Sequence, residues 1–399
     1  AEVERLLGSA DKRSPDSVGE MIFQILCAKA VARKAYDVLL EPQRLGLRIR
    51  FRDARSWWEV WKGEISQAAT QALTQVVKRV TRMDLNETRL PQDGRGWLSL
   101  YGREVDVRTS TFPGLHGEGV CMRIFDPESL RLPPLNEIGL SQSDANRIGE
   151  ILHGSEGVVL VVGGAGTGKT TVLYSMLNEI NTPDRHIMTV EDPVEIDLPG
   201  ITQAHLNHAA GLTFPKALIG VFRHAPDVVM VGESRDGETL EIVCKGGLSG
   251  RLMLSTLNTK DVFKGITRVR DFGVPDFLIA DAIRVIISPK LLGVVCPECK
   301  ESYRPDPELL RRFGVTDDTT FYTGKGCDAC HGTGFSGVTA IYEVLFLDDA
   351  VRGLIKNGSS ERDVRKAATA QGMRTFEELA LKAARDGVTS LEEAAKVLK

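Results

Sequence analysis

Long apolar runs are missing from this sequence of 399 residues. The nearest candidate, residues 279–295, is interrupted by Asp281, Arg284, Pro289 and Lys290. A helix that crosses a bilayer needs about 18 or more apolar residues in succession, so no spanning helix is predicted. The first residues also lack a signal-peptide pattern. Any membrane contact is therefore expected to be peripheral or to be made through a partner.

Positive charge is not in excess either. The 50 lysines and arginines stand against 54 aspartates and glutamates, which gives a formal net charge of −4. This balance argues against a nucleic-acid partner, although it leaves room for a local basic groove. With 42% hydrophobic and 26% charged residues, the composition is typical of a soluble globular protein. The length is sufficient for two or three domains.

Cysteine is scarce, but four of the seven cysteines are paired as Cys-x-x-Cys. The pairs are Cys296 with Cys299 and Cys327 with Cys330. In a chain without an export signal, this spacing favours a metal over disulfide bonds. Four thiolates suit a tetrahedral Zn²⁺ and leave no open position, so the predicted zinc site is structural. His331, directly after Cys330, is an alternative ligand.

Two domains are predicted from a change in the residue pattern along the chain. Residues 1–130 mix helical patterns with short alternating strands, which predicts an α+β domain. Residues 131–140 contain prolines and are interpreted as a linker. Residues 141–399 alternate helices with buried-type strands, which predicts a parallel sheet covered by helices. Within this second domain, we place the zinc element at 293–337 and a helical tail at 348–399.

Three tryptophans, Trp57, Trp58 and Trp61, lie in one short predicted strand and do not alternate strictly. Two interpretations stay open for them. Either the strand packs under the helix that follows, or it forms an exposed patch that contacts a neighbouring subunit or a membrane partner.

A glycine-rich loop at 163–170, GGAGTGKT, follows the apolar run GVVLVV and leads into a helical pattern. Such a loop holds nucleotide phosphates with its backbone N–H groups and with the helix N-terminus. Lys169 is expected to reach the β- and γ-phosphates, and Thr170 to bind Mg²⁺. The predicted nucleotide-binding residues are Gly163, Gly164, Ala165, Gly166, Thr167, Gly168, Lys169, Thr170 and Thr171.

Hydrolysis also needs carboxylates beside the phosphates, and two candidates follow predicted strands. Glu191 ends the strand HIMTVE, and Glu233 follows the strand DVVMV. Because the carboxyl ends of parallel strands meet at one edge of a sheet, both are expected beside the glycine-rich loop. Gly232 stands where many nucleoside triphosphatases place an aspartate, so Glu233 is predicted to bind Mg²⁺ without it.

The ordered set of motifs resembles the assembly ATPases that drive type II secretion and type IV pilus growth. The motifs are EP, RIRFR, RLPQDGR, GREVDVRTST and LHGE, then GGAGTGKTTVLY, VEDPVE, PDVVMVGESRD and LSTLNT, and finally the paired cysteines and IYEVL. They cover nearly the whole chain. The resemblance implies a RecA-like P-loop ATPase domain, preceded by a PAS-like α+β domain, in a hexameric ring. It also implies ATP, Mg²⁺ and Zn²⁺ as cofactors.

The resemblance assigns catalytic roles to several residues. Glu191 matches the presumed catalytic carboxylate of the family's Asp box, and Glu233 matches the Walker B glutamate that holds Mg²⁺ through water. Which of the two activates the attacking water stays open.

Four arginines also match the family, and a guanidinium suits phosphate oxygens because its charge is permanent and its fork is planar. Arg108 and Arg123 correspond to N-terminal arginines that reach the γ-phosphate when the domains close. Arg223 and Arg235 correspond to arginines of the ATPase domain near the same site. The alternative for Arg108 and Arg123 is that they are exposed strand residues with salt bridges at the rim.

The sequence departs from the family in five positions. Arg251 and Asn258 replace the two histidines of the family's His box, so a protonation role there is lost. His224 and Ala225 replace a Gln-Asp pair, and Leu39 replaces a histidine of the N-terminal domain. These changes affect sensing and coupling more than nucleotide binding, and they suggest a divergent branch of the family.

The resemblance predicts a cytoplasmic homo-hexamer, peripheral on the inner membrane, that works through an inner-membrane platform protein. The tetracysteine element resembles assembly motors, because retraction motors generally lack it. The family's extra N-terminal docking domain is expected to be absent from this chain. Two alternatives stay open: a ring scaffold that binds nucleotide with little or no hydrolysis, and an ATPase of the same fold that translocates nucleic acid.

Overall fold

The computed structural model describes residues 15–33, 35–53, 57–100, 102–125, 132–316 and 318–398. The chain forms two compact units, Ala1–Arg131 and Leu132–Lys399. Residues 126–131, where the first predicted domain ends and the predicted linker begins, lie outside the described residues.

Unit 1 is built on a six-stranded antiparallel sheet with the order β3-β2-β1-β6-β5-β4. Its elements are helices α1 (Pro15–Ala32) and α2 (Gln67–Val80) and strands β1 (Asp37–Gln43), β2 (Gly46–Arg52), β3 (Trp57–Gly63), β4 (Gln92–Leu100), β5 (Arg103–Gly114) and β6 (Gly117–Phe125). The α+β character of this region agrees with the sequence pattern.

Alternation along the strands decides which face of this sheet is covered. In β2, Leu47, Ile49 and Phe51 are buried in a core shared with the two helices. The arginines between them lie on the other face, because successive side chains of a strand point to opposite sides. Trp58 and Trp61 pack against the same core, which favours the first of the two interpretations of this strand.

Unit 2 is built on a seven-stranded mixed sheet with the order β15-β12-β7-β11-β10-β8-β9. Its sheet strands are β7 (Gly157–Val162), β8 (Ile187–Glu191), β9 (Thr202–His205), β10 (Val228–Val231), β11 (Leu252–Leu257), β12 (Ile283–Val295) and β15 (Phe335–Phe346). Neighbouring strands are parallel except β15, which is antiparallel to β12. The four strands on which the prediction of a parallel sheet was based, β7, β8, β10 and β11, are parallel, and the sheet adds an antiparallel strand, β15, at one edge.

Helices cover both faces of this sheet and bury its strands. They are α3 (Gln142–His153), α4 (Lys169–Ile180), α5 (Phe214–Phe222), α6 (Gly237–Gly247), α7 (Val262–Asp271) and α8 (Asp276–Ala282). All six residues of β7 are buried, and its alternate side chains belong to two separate cores. A continuous apolar run is what a strand covered on both faces requires.

The end of the chain combines a cysteine-rich element with a helical tail. The element contains β13 (Lys300–Tyr303), α9 (Pro307–Arg312) and β14 (Phe321–Gly324), and the tail contains α10 (Asp349–Lys356), α11 (Glu361–Ala370), α12 (Phe376–Arg385) and α13 (Leu391–Val397). At the start of α13, the Ser390 side chain accepts the N–H of Glu393 at 3.2 Å. The Glu393 carboxylate accepts the N–H of Gly293 in β12, so it joins the tail to the sheet.

Candidate nucleotide-binding site

The glycine-rich loop joins the end of β7 to the start of α4. Gly166 and Gly168 adopt φ values of 74° and 96°, which only glycine takes without strain. A Cβ atom at Gly163 would lie 2.5 Å from Thr167 Oγ1, so a side chain there would displace the threonine. Gly168 caps α4, and the first N–H groups of the helix are open to a ligand. This backbone fits a phosphate group.

Lys169 lies over the same loop. Its Nζ donates to the carbonyl oxygens of Gly163 and Gly164, both at 2.8 Å. Burial lowers the pKa of Lys169, and the carboxylates of Glu233 and Glu195 oppose that shift. When a nucleotide occupies the loop, the ammonium has to exchange these carbonyls for phosphate oxygens.

A pocket of about 190 Å³ opens beside the loop at the carboxyl edge of the sheet. Its lining includes Lys169, Thr170, Tyr174, Glu191, Glu233 and Thr256. The structure thus brings together the predicted phosphate and magnesium ligands and both candidate carboxylates. Oxygen donors of this kind suit Mg²⁺.

Glu191 is the last residue of β8 and is only 4% exposed. Thr189 Oγ1 donates to its Oε1 at 2.5 Å, and Gln203 Nε2 donates to the same oxygen at 3.2 Å. The Tyr174 hydroxyl donates to Oε2. All three of these donors are neutral, and Glu191 is at the wall of the pocket. The sequence analysis did not single out Tyr174 or Gln203.

Glu233 follows β10 and forms an ion pair with Arg235, which also contacts Asp192 at 3.4 Å. Arg235 is therefore paired with two carboxylates that line the pocket, and its catalytic role stays a prediction. A Cβ atom at Gly232 would lie 3.3 Å from Glu191 Cα, so the position leaves little room for the aspartate found in other nucleoside triphosphatases.

Arg223 is not brought to the pocket within unit 2. It directly follows α5, whose C-terminus leads into the amino end of β10. The phosphate loop lies at the carboxyl ends of the strands, so Arg223 is at the opposite edge of the sheet. The prediction placed Arg223 near the phosphates through the family resemblance alone, and its catalytic role stays a prediction.

The two replaced histidine positions lie at opposite edges as well. Arg251 precedes β11, at the edge away from the loop, where its guanidinium contacts Ser249 Oγ at 2.8 Å and the ring of Phe222. Asn258 follows β11, and the carbonyl of the preceding Leu257 accepts the N–H of Gly163 at 3.1 Å. Of the two replacements, only Asn258 is therefore adjacent to the phosphate loop.

In unit 1, Arg108 and Arg123 are directly opposite each other on β5 and β6. Arg123 Nε donates to Asp37 at 2.8 Å, and Asp37 is 1% exposed. Arg108 contacts Asp106 at 3.4 Å, and Asp106 is also buried. Neither arginine forms only a rim salt bridge, because the partner in each case is a buried carboxylate. Their predicted reach to a γ-phosphate stays a prediction.

The four paired cysteines converge, and their sulfur atoms all lie within 4.8 Å of one another. The N–H groups of Cys327 and Gly334 donate to Cys330 Sγ, both at 3.2 Å. Burial opposes ionisation of this thiol, but these donors prevail, and the pKa of Cys330 falls to about 6. Four converging sulfurs fit a tetrahedral thiolate-bound metal ion. His331 is not part of this cluster.

Over the described part of the chain, no helix has the length and apolar character needed to cross a membrane.

Comparison with known proteins gives close sequence relatives. A family model described as type II/IV secretion system protein matches residues 11–396. Type II secretion system protein E of Pseudomonas aeruginosa is 38% identical over 380 residues, which cover 95% of this chain and 75% of that protein. Type IV pilus assembly ATPase PilB of Thermus thermophilus is 37% identical over 385 residues, which cover 95% of this chain and 43% of that protein.

Two solved structures share the fold. The pilus retraction motor PilT with bound ADP has a TM-score of 0.64 and 22% identity, with 94% of this chain and 96% of that chain covered. The Legionella pneumophila ATPase DotB has a TM-score of 0.69 and 19% identity, with 94% and 95% covered. At such identities the likeness concerns the fold alone, and it confirms the predicted fold class.

Proposed function

Since the chain belongs to the type II/IV secretion system protein family, we propose that it is the ATPase motor that drives assembly of a type II secretion pseudopilus or a type IV pilus. Membership confirms the predicted family and the prediction of an ATP-hydrolysing enzyme. The observation that carries the proposal is the single pocket where Lys169, Thr170, Glu191 and Glu233 meet.

Glu191 and Glu233 have different hydrogen-bond and ion-pair partners, and these partners favour a different role for each carboxylate. Glu233 already forms an ion pair with Arg235, whereas the donors to Glu191 are neutral. Thr170 and Glu233 would hold Mg²⁺, which would neutralise charge on the phosphate oxygens. Glu191 then orients and polarises the attacking water, because its charge faces the pocket without a cationic partner among the described contacts.

The proposal for how hydrolysis drives movement rests on the family to which the chain belongs. Arg108 and Arg123 would close onto the nucleotide, and release of the products would open the two units again. The motor would be a homo-hexamer at the cytoplasmic face of the inner membrane, acting on a platform protein. Zn²⁺ held by the four cysteines would stabilise the element that contains them. The presence of this element favours an assembly motor over a retraction motor, because retraction motors generally lack it.

A scaffold that binds nucleotide without turnover is the second candidate, because Asn258 replaces a family histidine next to the phosphate loop. The decisive measurement is steady-state phosphate release with Mg-ATP by wild type, Lys169→Ala and Glu191→Gln. We expect both variants to lose at least about 100-fold in kcat. Lys245→Ala is the matched control, since Lys245 is exposed and pairs with the half-exposed Glu241 on the same helix, α6.

Each outcome has a distinct meaning. A hexamer that binds ATP but releases no phosphate in the wild type would favour the scaffold. Stimulation of turnover by DNA, and not by the cytoplasmic domain of a platform protein, would favour translocation of nucleic acid.

A further inference from the structure

Tyr174 is a buried residue of the pocket for which the proposed phosphate and magnesium binding gives no role. It is fully buried, and it lies on the face of α4 that also carries Thr170, four residues earlier. Both residues line the nucleotide pocket. The helix that presents the predicted magnesium ligand therefore also presents a phenol to the interior.

The Tyr174 hydroxyl joins two other parts of the site. It donates to Glu191 Oε2 at the end of β8, and it accepts the N–H of Glu195 at 3.3 Å. Burial raises the pKa of Tyr174, and the neighbouring Glu191 carboxylate raises it further, which keeps the phenol protonated and able to donate. One hydroxyl thus connects the phosphate-binding helix to the carboxylate and to the loop that follows it.

Glu191 depends on this contact more than an exposed carboxylate would. With 4% exposure it has little access to solvent, so its orientation is set by protein donors. Thr189 and Gln203 hold Oε1, while Tyr174 is the donor recorded for Oε2. Loss of the Tyr174 hydroxyl would leave one oxygen of a buried carboxylate unpaired and free to rotate toward another donor.

We propose that Tyr174 is a positioning residue for ATP hydrolysis, which aligns Glu191 with the phosphates by linking it to α4. Movement of α4 on phosphate binding is then transmitted to the carboxylate through a single hydrogen bond. The inference rests on the proposed function, since it assumes that Glu191 acts on the attacking water.

The test compares Tyr174→Phe with Tyr342→Phe in the full chain with Mg-ATP. Tyr342 is also buried, and its hydroxyl donates to the carbonyl of Ile138 at 3.0 Å, so the control loses a comparable hydrogen bond. We expect Tyr174→Phe to lower kcat by about 10- to 100-fold. KM for ATP should stay within about threefold, because the Tyr174 hydroxyl is engaged by Glu191 and by the N–H of Glu195 rather than by the glycine-rich loop. Tyr342→Phe should retain kcat.

Two further arms separate a positioning role from a loss of folding. Rates are normalised to ATP-binding sites, and melting temperatures of the two Tyr→Phe variants are compared. Thr189→Val should lower kcat in the same way, and Thr189→Ser should restore it, since serine keeps the hydroxyl donor to Oε1.

Wild-type kcat in Tyr174→Phe, with Glu191→Gln inactive, would overturn the positioning role and leave the proposed function intact. Equal losses of kcat in the two Tyr→Phe variants would also overturn it, because the effect would then be structural. Full activity in Glu191→Gln would overturn the role assigned to Glu191 and the inference with it, but not the proposed ATPase. An inactive wild type would overturn the proposed function and the inference together.

Discussion

The two sheets of this protein place their charged residues in different positions. In unit 1, Arg48 and Arg50 lie within a strand and alternate with buried residues, and Arg52 ends that strand. In unit 2, the strands are covered on both faces, and Glu191 and Glu233 lie where strands end. The antiparallel sheet can carry charge along one whole face, whereas the mostly parallel sheet can carry it only at its edges.

Buried charged residues depart from this rule in both units, and Lys78 and Glu343 are two of them. Lys78 of α2 is fully buried and forms an ion pair with Glu118 on the covered face of the first sheet. Glu343 lies within β15 of the second sheet and is 2% exposed. These residues show where the comparison can be tested most sharply, because burial of charge is costly unless the charge is paired.

The largest effect is expected for Lys78→Met, which keeps the length of the side chain and removes the charge. Lys78 Nζ lies 2.6 Å from Glu118 Oε1, and the two side chains are 1% and 10% exposed. Removing one partner leaves an unpaired buried carboxylate, so unit 1 should lose about 3–5 kcal/mol of unfolding free energy. Urea unfolding followed by tryptophan fluorescence measures this unit alone, because all four tryptophans lie in it.

The control is the double variant Lys78→Met with Glu118→Gln. It contains no unpaired charge, so it should recover much of the lost free energy. If the single variant unfolds at the same urea concentration as the wild type, Lys78 is not buried in solution, and the contrast between the two faces of this sheet is wrong.

A smaller effect of opposite sign is expected for Glu343→Gln in unit 2. Burial raises the pKa of Glu343 from 4.5 to about 7, Asp261 adds to the rise, and the Phe376 N–H, Arg365 and Lys290 oppose it. The folded state therefore binds more protons than the unfolded state between these values, and stability falls as pH rises through that window. The neutral glutamine avoids this loss, so the variant should be more stable than the wild type at pH 8 by about 1–3 kcal/mol.

This difference should vanish well below pH 4.5, where the carboxyl is protonated in both states. Far-UV circular dichroism at several pH values, compared with tryptophan fluorescence for unit 1, isolates the transition of unit 2. A variant that is less stable than the wild type at every pH would show that Glu343 makes a favourable ionic contact, contrary to its burial.

The sequence predicted those features that depend on neighbouring residues along the chain. The phosphate loop follows from its glycines, and Glu191 and Glu233 follow from the rule that parallel strands end at one edge. Features set by packing between distant elements were missed. Tyr174 meets Glu191 only because the fold brings α4 beside the end of β8. The edge that Arg223 reaches depends on the direction of α5.

The antiparallel direction of β15 and the burial of the aspartates of unit 1 also depend on distant elements, so they could not be predicted from local sequence either. Strand direction is fixed by the connection through the cysteine-rich element, and no local pattern in residues 335–346 encodes it. Asp37 reads as an ordinary polar strand residue in the sequence, yet it is buried between Arg52 and Arg123 from two other strands.

The smallest effect is expected for Arg48→Gln. Arg48 lies on the open face of the unit 1 sheet, whereas Glu118, the partner of Lys78, lies on the covered face. Arg48 Nε contacts Glu59 at 2.8 Å, and the two side chains are 37% and 44% exposed. Water solvates both charges before and after the change, so the loss should stay below about 1 kcal/mol and shrink further at high salt. The measurement is the same fluorescence-detected urea unfolding, at low and high ionic strength. A loss above about 2 kcal/mol, insensitive to salt, would mean that this face is shielded from water in the folded chain. Breaking an ion pair would then lower the free energy of unfolding by a similar amount on either face of the sheet. The large effect of Lys78→Met could no longer be attributed to the covered face.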